Sequence, residues 1–200
     1  MSRPPDGAPP LGNAAPDPAP GEPAQRPTAP LRSARPDGAT PGTRLGPLSP
    51  RDRSTVEAIV RGTHVFREDE VAVALEVLDA YLARPEQDYH ALGAFTPGGD
   101  LLGFTIYGPT PCTLGTWDLY WIAVAPDAQG TGVGTLLLQE VERRLADVHA
   151  RLVVIETSSQ AAYAATRAFY RRRGYDEVAR VPDFYADGDD RVIFAKRLPA

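Results

Sequence analysis

The sequence predicts an α/β (α+β) fold, a mixed central sheet flanked by helices on both faces, and three observations predict it. Trp117 to Glu140 reads as strand, glycine-rich turn and helix in direct succession. Leu152 to Thr157 is a short β-branched run suited to a buried parallel strand, and a helical pattern from Ala161 to Arg173 follows it. Tyr89 to Phe95 and Leu101 to Tyr107 are strand-like runs around Pro97-Gly98-Gly99-Asp100, a hairpin signal. A chain that mixes crossover units with hairpins builds a mixed sheet that needs helices on both sides.

Taken in order, the first segment is the least structured. Fourteen of the 21 prolines lie in the first fifty residues, among Ala, Gly and small polar residues without apolar periodicity. Such a stretch buries too little surface to offset its ordering entropy, so residues 1–42 are expected to form a disordered arm and 43–200 the folded domain. Thr43 to Leu48 is read as a short edge strand. Ser54 is read as the N-cap of a helix through Arg61, with Glu57 as its capping-box partner. Glu68 to Ala83 is a second helix, with Val71, Leu75, Leu78 and Leu82 on one face and Pro85 beyond its end. The hairpin follows. Trp117 to Val124 is an aromatic-rich strand stopped by Pro126, and the helix after it carries Val133, Leu137, Val141, Leu145 and Val148. The helix from Ala161 is closed by Gly174 and by Arg171, Arg172 and Arg173 at its negative dipole end. Asp176 to Val181 and Arg191 to Leu198 are the last strands, with Asp183 to Asp190 as the hairpin loop between them.

Charge and composition narrow the function. The four Arg of residues 1–42 balance Asp6, Asp17, Glu22 and Asp37, so the net charge of −5 belongs to the folded part. An acidic domain is poorly suited to a nucleic-acid backbone and better suited to a cationic small molecule. No apolar h-region marks a secretory signal and no run is long enough to span a bilayer, so no membrane partner is expected. Cys112 is the single cysteine, which excludes an internal disulfide and fits a reducing cytoplasm. His64, His90 and His149 are scattered and give no metal-ligand spacing, so no metal is expected.

The glycine-rich turn carries the strongest chemical signal. Gln129, Gly130, Thr131, Gly132, Val133 and Gly134 lead straight into a helix. Glycines let successive N–H groups converge on an anion at the positive end of the helix dipole, so a phosphorylated cofactor is expected. A triphosphatase loop needs Lys-Ser/Thr after its last glycine, whereas Thr135 and Leu136 stand here. The dinucleotide pattern G-x-G-x-x-G fits Gly130 and Gly132 and fails at Thr135, although Glu156 could imitate its ribose-binding acid. A glycine-rich turn without a ligand is the remaining reading.

The spacing Gln129-x-x-Gly132-x-Gly134, after a strand ending in Val124-Ala125-Pro126, resembles the pyrophosphate loop of the GNAT superfamily of acyl-CoA-dependent N-acyltransferases. About thirty residues on, Tyr163…Ala168-Phe169-Tyr170-Arg171-Arg172-Arg173-Gly174-Tyr175 is similar to the second signature of that family. The element order β-α-α-β-β-β-α-β-α-β-β is also the one that the family uses. The resemblance implies the GNAT fold, acetyl-CoA as acyl donor, and transfer of its acetyl group to an amine.

It further implies roles for residues. Backbone groups of Ile122, Ala123 and Val124 would grip the cofactor and supply oxyanion donors, and Gln129, Gly130, Thr131, Gly132, Val133, Gly134 and Thr135 would hold the pyrophosphate. Tyr170 is the expected general acid toward the leaving thiolate. Asp118 and Glu156 are the alternative general bases, beside the reading in which Asp118 is structural and water carries the proton away. Burial would raise either carboxylate's pKa into a useful range. Phe184 and Tyr185 are expected to line the acceptor pocket. Asp187 and Asp189 read better as ordinary turn residues. Tyr120 alternates with Trp121, so the two are expected on opposite sides of the sheet, with Tyr120 the candidate to face substrate. The family often carries Asn at the end of the second parallel strand, where Thr157, Ser158 and Ser159 stand here, so that contact departs from the pattern. The expected activity is a small-molecule N-acetyltransferase, with an acyl-CoA-binding regulatory module and a protein or peptide lysine N-acetyltransferase as alternatives. A homodimer is compatible with all three.

Overall fold

The computed structural model describes residues 42–199. The expected proline-rich arm lies outside the described residues, apart from Gly42. In chain order the elements are β1 (Arg44–Gly46), α1 (Arg53–Gly62), α2 (Glu68–Ala83), β2 (His90–Phe95), β3 (Leu101–Pro109), β4 (Thr116–Val124), α3 (Val133–Asp147), β5 (Leu152–Ser158), α4 (Ala164–Arg171), β6 (Asp176–Ala186) and β7 (Asp189–Arg197). They form one seven-stranded sheet in the order β1-β2-β3-β4-β5-β7-β6, in which β4 and β5 are parallel and the other pairs antiparallel.

The sheet is covered on both faces, as the sequence predicts. On one, Leu119, Ile122 and Val124 of β4 and Val153 and Ile155 of β5 pack against Val133, Leu137 and Val141 of α3 and Phe169 and Tyr170 of α4. On the other, Phe104, Ile106, Trp121 and Ala123 pack against Val56, Ile59 and Val60 of α1 and Val71, Ala74 and Leu78 of α2. Burying such side chains supplies most of the stability of a fold of this kind, at about 1.5–3 kcal/mol for each large one. Among the described residues no helix is long and apolar enough to cross a membrane.

Several local expectations need correction. The chain turns into α1 earlier than Ser54. Ser49 is the cap of a 3₁₀ turn at Pro50–Asp52, and the Asp52 carboxylate accepts from the Ser49 N–H at 2.8 Å and its hydroxyl at 2.6 Å. Pro50 is suited to that first helical position, where no N–H donor is needed. In α2 the fully buried stripe is Val71, Ala74, Leu78 and Tyr81, while Leu75 and Leu82 are only partly covered. Val148 falls past the end of α3 and is exposed. The helix expected from Ala161 begins as a 3₁₀ turn, Ala161–Tyr163, before α4. Its end is as expected: Gly174 takes φ 76° and Tyr175 N–H reaches Tyr170 O at 3.2 Å, a Schellman closure.

The last hairpin differs most. Residues 183–190 are not an open loop: β6 runs to Ala186 and β7 starts at Asp189, around a tight turn with Gly188 at φ 76°. The pairing is irregular between Val181 and Ala186, where Asp183 takes φ 52° and accepts the Gly188 N–H at 2.7 Å. Phe184 and Tyr185 therefore stand on an irregular strand rather than on a loop tip.

Two irregularities of β4 position everything that follows. Ile106 pairs with Trp121, but Tyr107 pairs with Leu119, so Tyr120 is the extra residue of a β-bulge. The bulge places Tyr120 and Trp121 in the same core, on the α1/α2 face, and corrects the expectation that they face opposite sides. The second irregularity is on the other edge. β4 and β5 pair only from Thr116–Leu152 to Leu119–Ile155. Beyond that point Tyr120–Val124 and Glu156–Ser158 part, and a cleft opens at the carboxyl ends of the two parallel strands, where open sheets place ligands. Gly103 keeps β3 tight against this part of β4: a Cβ there would lie 2.8 Å from the Ala123 carbonyl oxygen.

Candidate active site

The glycine-rich turn sits at the head of the cleft. Gly130 and Gly132 both take left-handed conformations, φ 80° and 89°, which explains glycine at these two positions. Gln129 Nε2 donates to the Val124 carbonyl at 3.3 Å, and Thr131 Oγ1 donates to Ala128 O at 2.7 Å, so the turn is tied back to β4. The first intrahelical bond of α3 runs from Leu136 N–H to Gly132 O at 3.0 Å. The N–H groups of Val133, Gly134 and Thr135 thus have no intrahelical acceptor and present the positive end of the helix dipole. This is a cradle that fits a pyrophosphate.

A cation that the sequence assigns only to the α4 dipole joins this cradle. Arg173 lies 4.0 Å over the Phe169 ring and donates to Thr135 Oγ1. Burial and the neighbouring Arg172 push its pKa down, with Glu142 opposing. A partly desolvated guanidinium beside a helix N-terminus adds to the attraction for phosphate.

The two carboxylates lie on the opposite, α1/α2 face. Asp118 pairs with Val154 in parallel register, and Glu156 is two residues further along the same face of β5. Asp118 is 5 % exposed and its Oδ2 accepts from Thr110 Oγ1 at 2.7 Å. Burial raises its pKa, against the lowering effects of the Thr110 hydroxyl and the Arg191 charge. Glu156, 8 % exposed, accepts from Arg191 through Oε1, while its Oε2 is buried without a hydrogen-bond partner. Arg191 faces the same side, because its register partner Ser158 alternates with Glu156 on β5, and its guanidinium lies 4.6 Å over the Phe184 ring. The geometry therefore brings Asp118, Glu156 and Phe184 together through Arg191, a residue that carries no site signal in the sequence. Tyr185 stands edge-on to Phe184, ring centroids 5.0 Å apart. The Tyr120 ring crowds the open side of Gly108, the register partner of Asp118, and meets Tyr89 edge-on at 5.6 Å.

Tyr170 is wholly buried on the α3/α4 face, its ring 5.8 Å from Phe194 and 6.0 Å from Tyr175. Of the three hydroxyls at the end of β5, two are used inside the protein. Ser158 Oγ donates to Asp189 at 2.5 Å, and Ser159 Oγ accepts the Asp190 N–H at 2.8 Å. Thr157 Oγ1 is buried without a partner, on the face that Val153 and Ile155 share with α3. Asp189 is not a turn residue of the ordinary kind: it is buried and also accepts from Gln160 Nε2 at 3.0 Å, tying the hairpin to the end of β5.

Comparison with known proteins agrees with this architecture. The family model described as the Acetyltransferase (GNAT) family matches residues 57–175. An uncharacterized N-acetyltransferase of Methanocaldococcus jannaschii is 30% identical over 79 residues, 39% of this chain and 49% of that protein, so the chain spans about half the length of the curated relative it matches. A crystal structure of a GNAT-family protein from Desulfovibrio desulfuricans is 40% identical, with TM-score 0.74, over 79% of this chain and 99% of that one. An aminoglycoside 6'-N-acetyltransferase crystallised with coenzyme A, 15% identical, shares the fold with TM-score 0.65 over 78% of this chain and 98% of its own. With the signature turn, the parted parallel strands and a family model matched over more than half its length, the chain belongs to the GNAT family of acetyltransferases.

Proposed function

We propose that the chain transfers the acetyl group of acetyl-CoA to the primary amine of a small molecule, by direct attack within a ternary complex. The observation that carries this reading is the parting of β4 and β5, with a phosphate cradle on one face of the sheet and two buried carboxylates on the other. Donor and acceptor then enter from opposite faces and meet in the cleft, without a covalent enzyme intermediate. When bound, acetyl-CoA supplies the acetyl group as an activated thioester. Gly132 to Thr135 and Arg173 would hold its pyrophosphate, and Thr157 Oγ1, buried without a partner, would be a further hydrogen-bonding group for it.

The protein's part in the reaction follows from charge. An amine is protonated at neutral pH and must lose a proton to attack, and Asp118 takes it, made more basic than a free aspartate by burial. Negative charge then develops on the carbonyl oxygen. Backbone N–H groups of the Ile122–Val124 stretch, whose β5-facing edge has no strand beside it, are the donors for that charge. As the C–N bond forms and the C–S bond breaks, Tyr170 would give its phenolic proton to the departing thiolate, and the second proton shed by the attacking nitrogen, carried by water, would restore the phenol.

Tyr170→Phe tests the last role. The ring and its packing against Phe194 and Tyr175 are kept, so the melting temperature should fall by no more than the loss of one buried hydroxyl's interactions. Turnover at saturating substrates should fall at least tenfold with acetyl-CoA affinity unchanged. An unchanged kcat would remove Tyr170 from the chemistry and leave it as a core residue.

A further inference from the structure

We propose that Arg191 sets the charge of the acceptor pocket and makes the protein selective for amines that carry one positive charge and no carboxylate. The inference rests on the amine-acetyltransferase reading above and names its substrate class. Its basis is the make-up of the cluster on the α1/α2 face: two carboxylates, Asp118 and Glu156, and one guanidinium. The Arg191 side chain is only 18% exposed and that of Glu156 9%. Carboxylates offset the desolvation of a guanidinium, and Arg191 bonds to Glu156 while its charge also acts on Asp118. The nearby Asp189 is a separate unit, bonded to Ser158 and Gln160 and acting on Arg167.

With both carboxylates ionised, the cluster carries one net negative charge. A single ammonium balances it. Glu156 Oε2, buried and without a partner, is an acceptor left over for that ammonium. A diamine would bring a second charge for which this cluster has no carboxylate left, since Asp189 is engaged by Ser158 and Gln160 and the buried Glu70 by the Arg67 N–H and guanidinium. An amino acid would bring a carboxylate of its own into a pocket where Asp118 and Glu156 repel it. Arg191, held between Glu156 and the Phe184 ring, already has a carboxylate partner. Unpaired or repelled charge of this kind is a general means of selecting between ligands.

The test uses one carbon chain with three charges: butylamine, 1,4-diaminobutane and 4-aminobutanoate. Affinity of each for the CoA-loaded full-length protein is measured by calorimetry, beside kcat/KM with acetyl-CoA. Butylamine should bind at least tenfold more tightly than either of the others. Arg191→Gln, which leaves two negative charges, should raise the diamine-to-monoamine ratio at least tenfold, and Arg191→Lys should keep the wild-type ratio. The double variant Arg191→Gln/Glu156→Gln restores one net negative charge and should restore the preference for butylamine, which a merely structural role for Arg191 would not do. An unchanged ratio in Arg191→Gln, or tightest binding of the zwitterion or the diamine by the wild type, overturns the proposal. The affinities decide the pocket charge even where no acceptor is turned over, a result that would count against the transferase reading instead.

Discussion

Asp118→Asn is expected to lower turnover by about a hundredfold or more, the usual contribution of a positioned general base, while making the protein slightly more stable at neutral pH. The two effects have one cause. Burial raises the Asp118 pKa, so the native state favours the protonated carboxyl more than the unfolded chain does. The stability linked to that preference is complete below the ordinary carboxylate pKa of about 3.9 and is lost as pH rises through the raised value. At pH 7 to 8 the buried charge is therefore a net cost, and the amide, which still accepts from Thr110, avoids it. The melting temperature of the variant should exceed that of the wild type at pH 8, with the gap closing as pH approaches 4. Activity has the opposite dependence. Wild-type kcat should fall as acidification protonates Asp118, along a limb placed above the ordinary aspartate value, and the variant should lack that limb. A variant that turns over at the wild-type rate would return Asp118 to a structural role.

Gly132→Asp should abolish acetyl-CoA binding, with at least a hundredfold loss of affinity. Two penalties combine. The φ of 89° at Gly132 is one that side-chain-bearing residues rarely adopt, at about 1–3 kcal/mol. A carboxylate would also stand at the cap of α3, where the pyrophosphate should lie, and would occupy the helix N-terminus itself. Gly132→Ala separates the two, carrying the backbone strain without the charge, and should lose less. Titration of acetyl-CoA by calorimetry reads both variants. Equal affinities for wild type and Gly132→Asp would show that the turn does not hold the phosphates.

The parts of this molecule legible in sequence were those where one residue type answers one backbone need. Gly130, Gly132 and Gly174 mark positive φ, and Pro126 marks the end of β4. Apolar periodicity gave α2 its limits, Glu68 to Ala83, and made α3 and its core face plain. The bulge at Tyr120 was hidden because Leu119, Tyr120, Trp121 and Ile122 are all apolar, and alternation cannot be counted where every residue is. The start of α1 is hidden in sequence because Ser54-x-x-Glu57 fits the usual capping box better than Ser49-x-x-Asp52, and only Pro50 favours the earlier one. The end of β6 was lost in Pro182-Asp183 and Asp187-Gly188, which read as continuous turn.

Asp118 stands out in sequence because a carboxylate within an apolar run needs a reason, and Glu156 because it ends a central strand. Their shared partner does not stand out, since Arg191 lies 35 residues from Glu156 and is joined to it only through the pairing of β5 with β7. The same pairing accounts for Asp189, whose place in sequence is that of a turn residue and whose place in the fold is beneath the end of β5. A signal did exist for Arg173: the basic residue directly before Gly174 is carried by the helix end to the mouth of the phosphate turn.

The proposed reaction joins an amine and an acetyl thioester in the cleft where β4 and β5 part. Its most direct measurement is the release of CoA thiol from acetyl-CoA by the wild-type protein, with and without a primary amine such as butylamine. Thiol should appear only when the amine is present, in equal amount to N-acetylated product. Thiol released at the same rate without amine, or none with amine under conditions where acetyl-CoA raises the melting temperature, would contradict the account and leave a protein that binds acyl-CoA without acetylating amines.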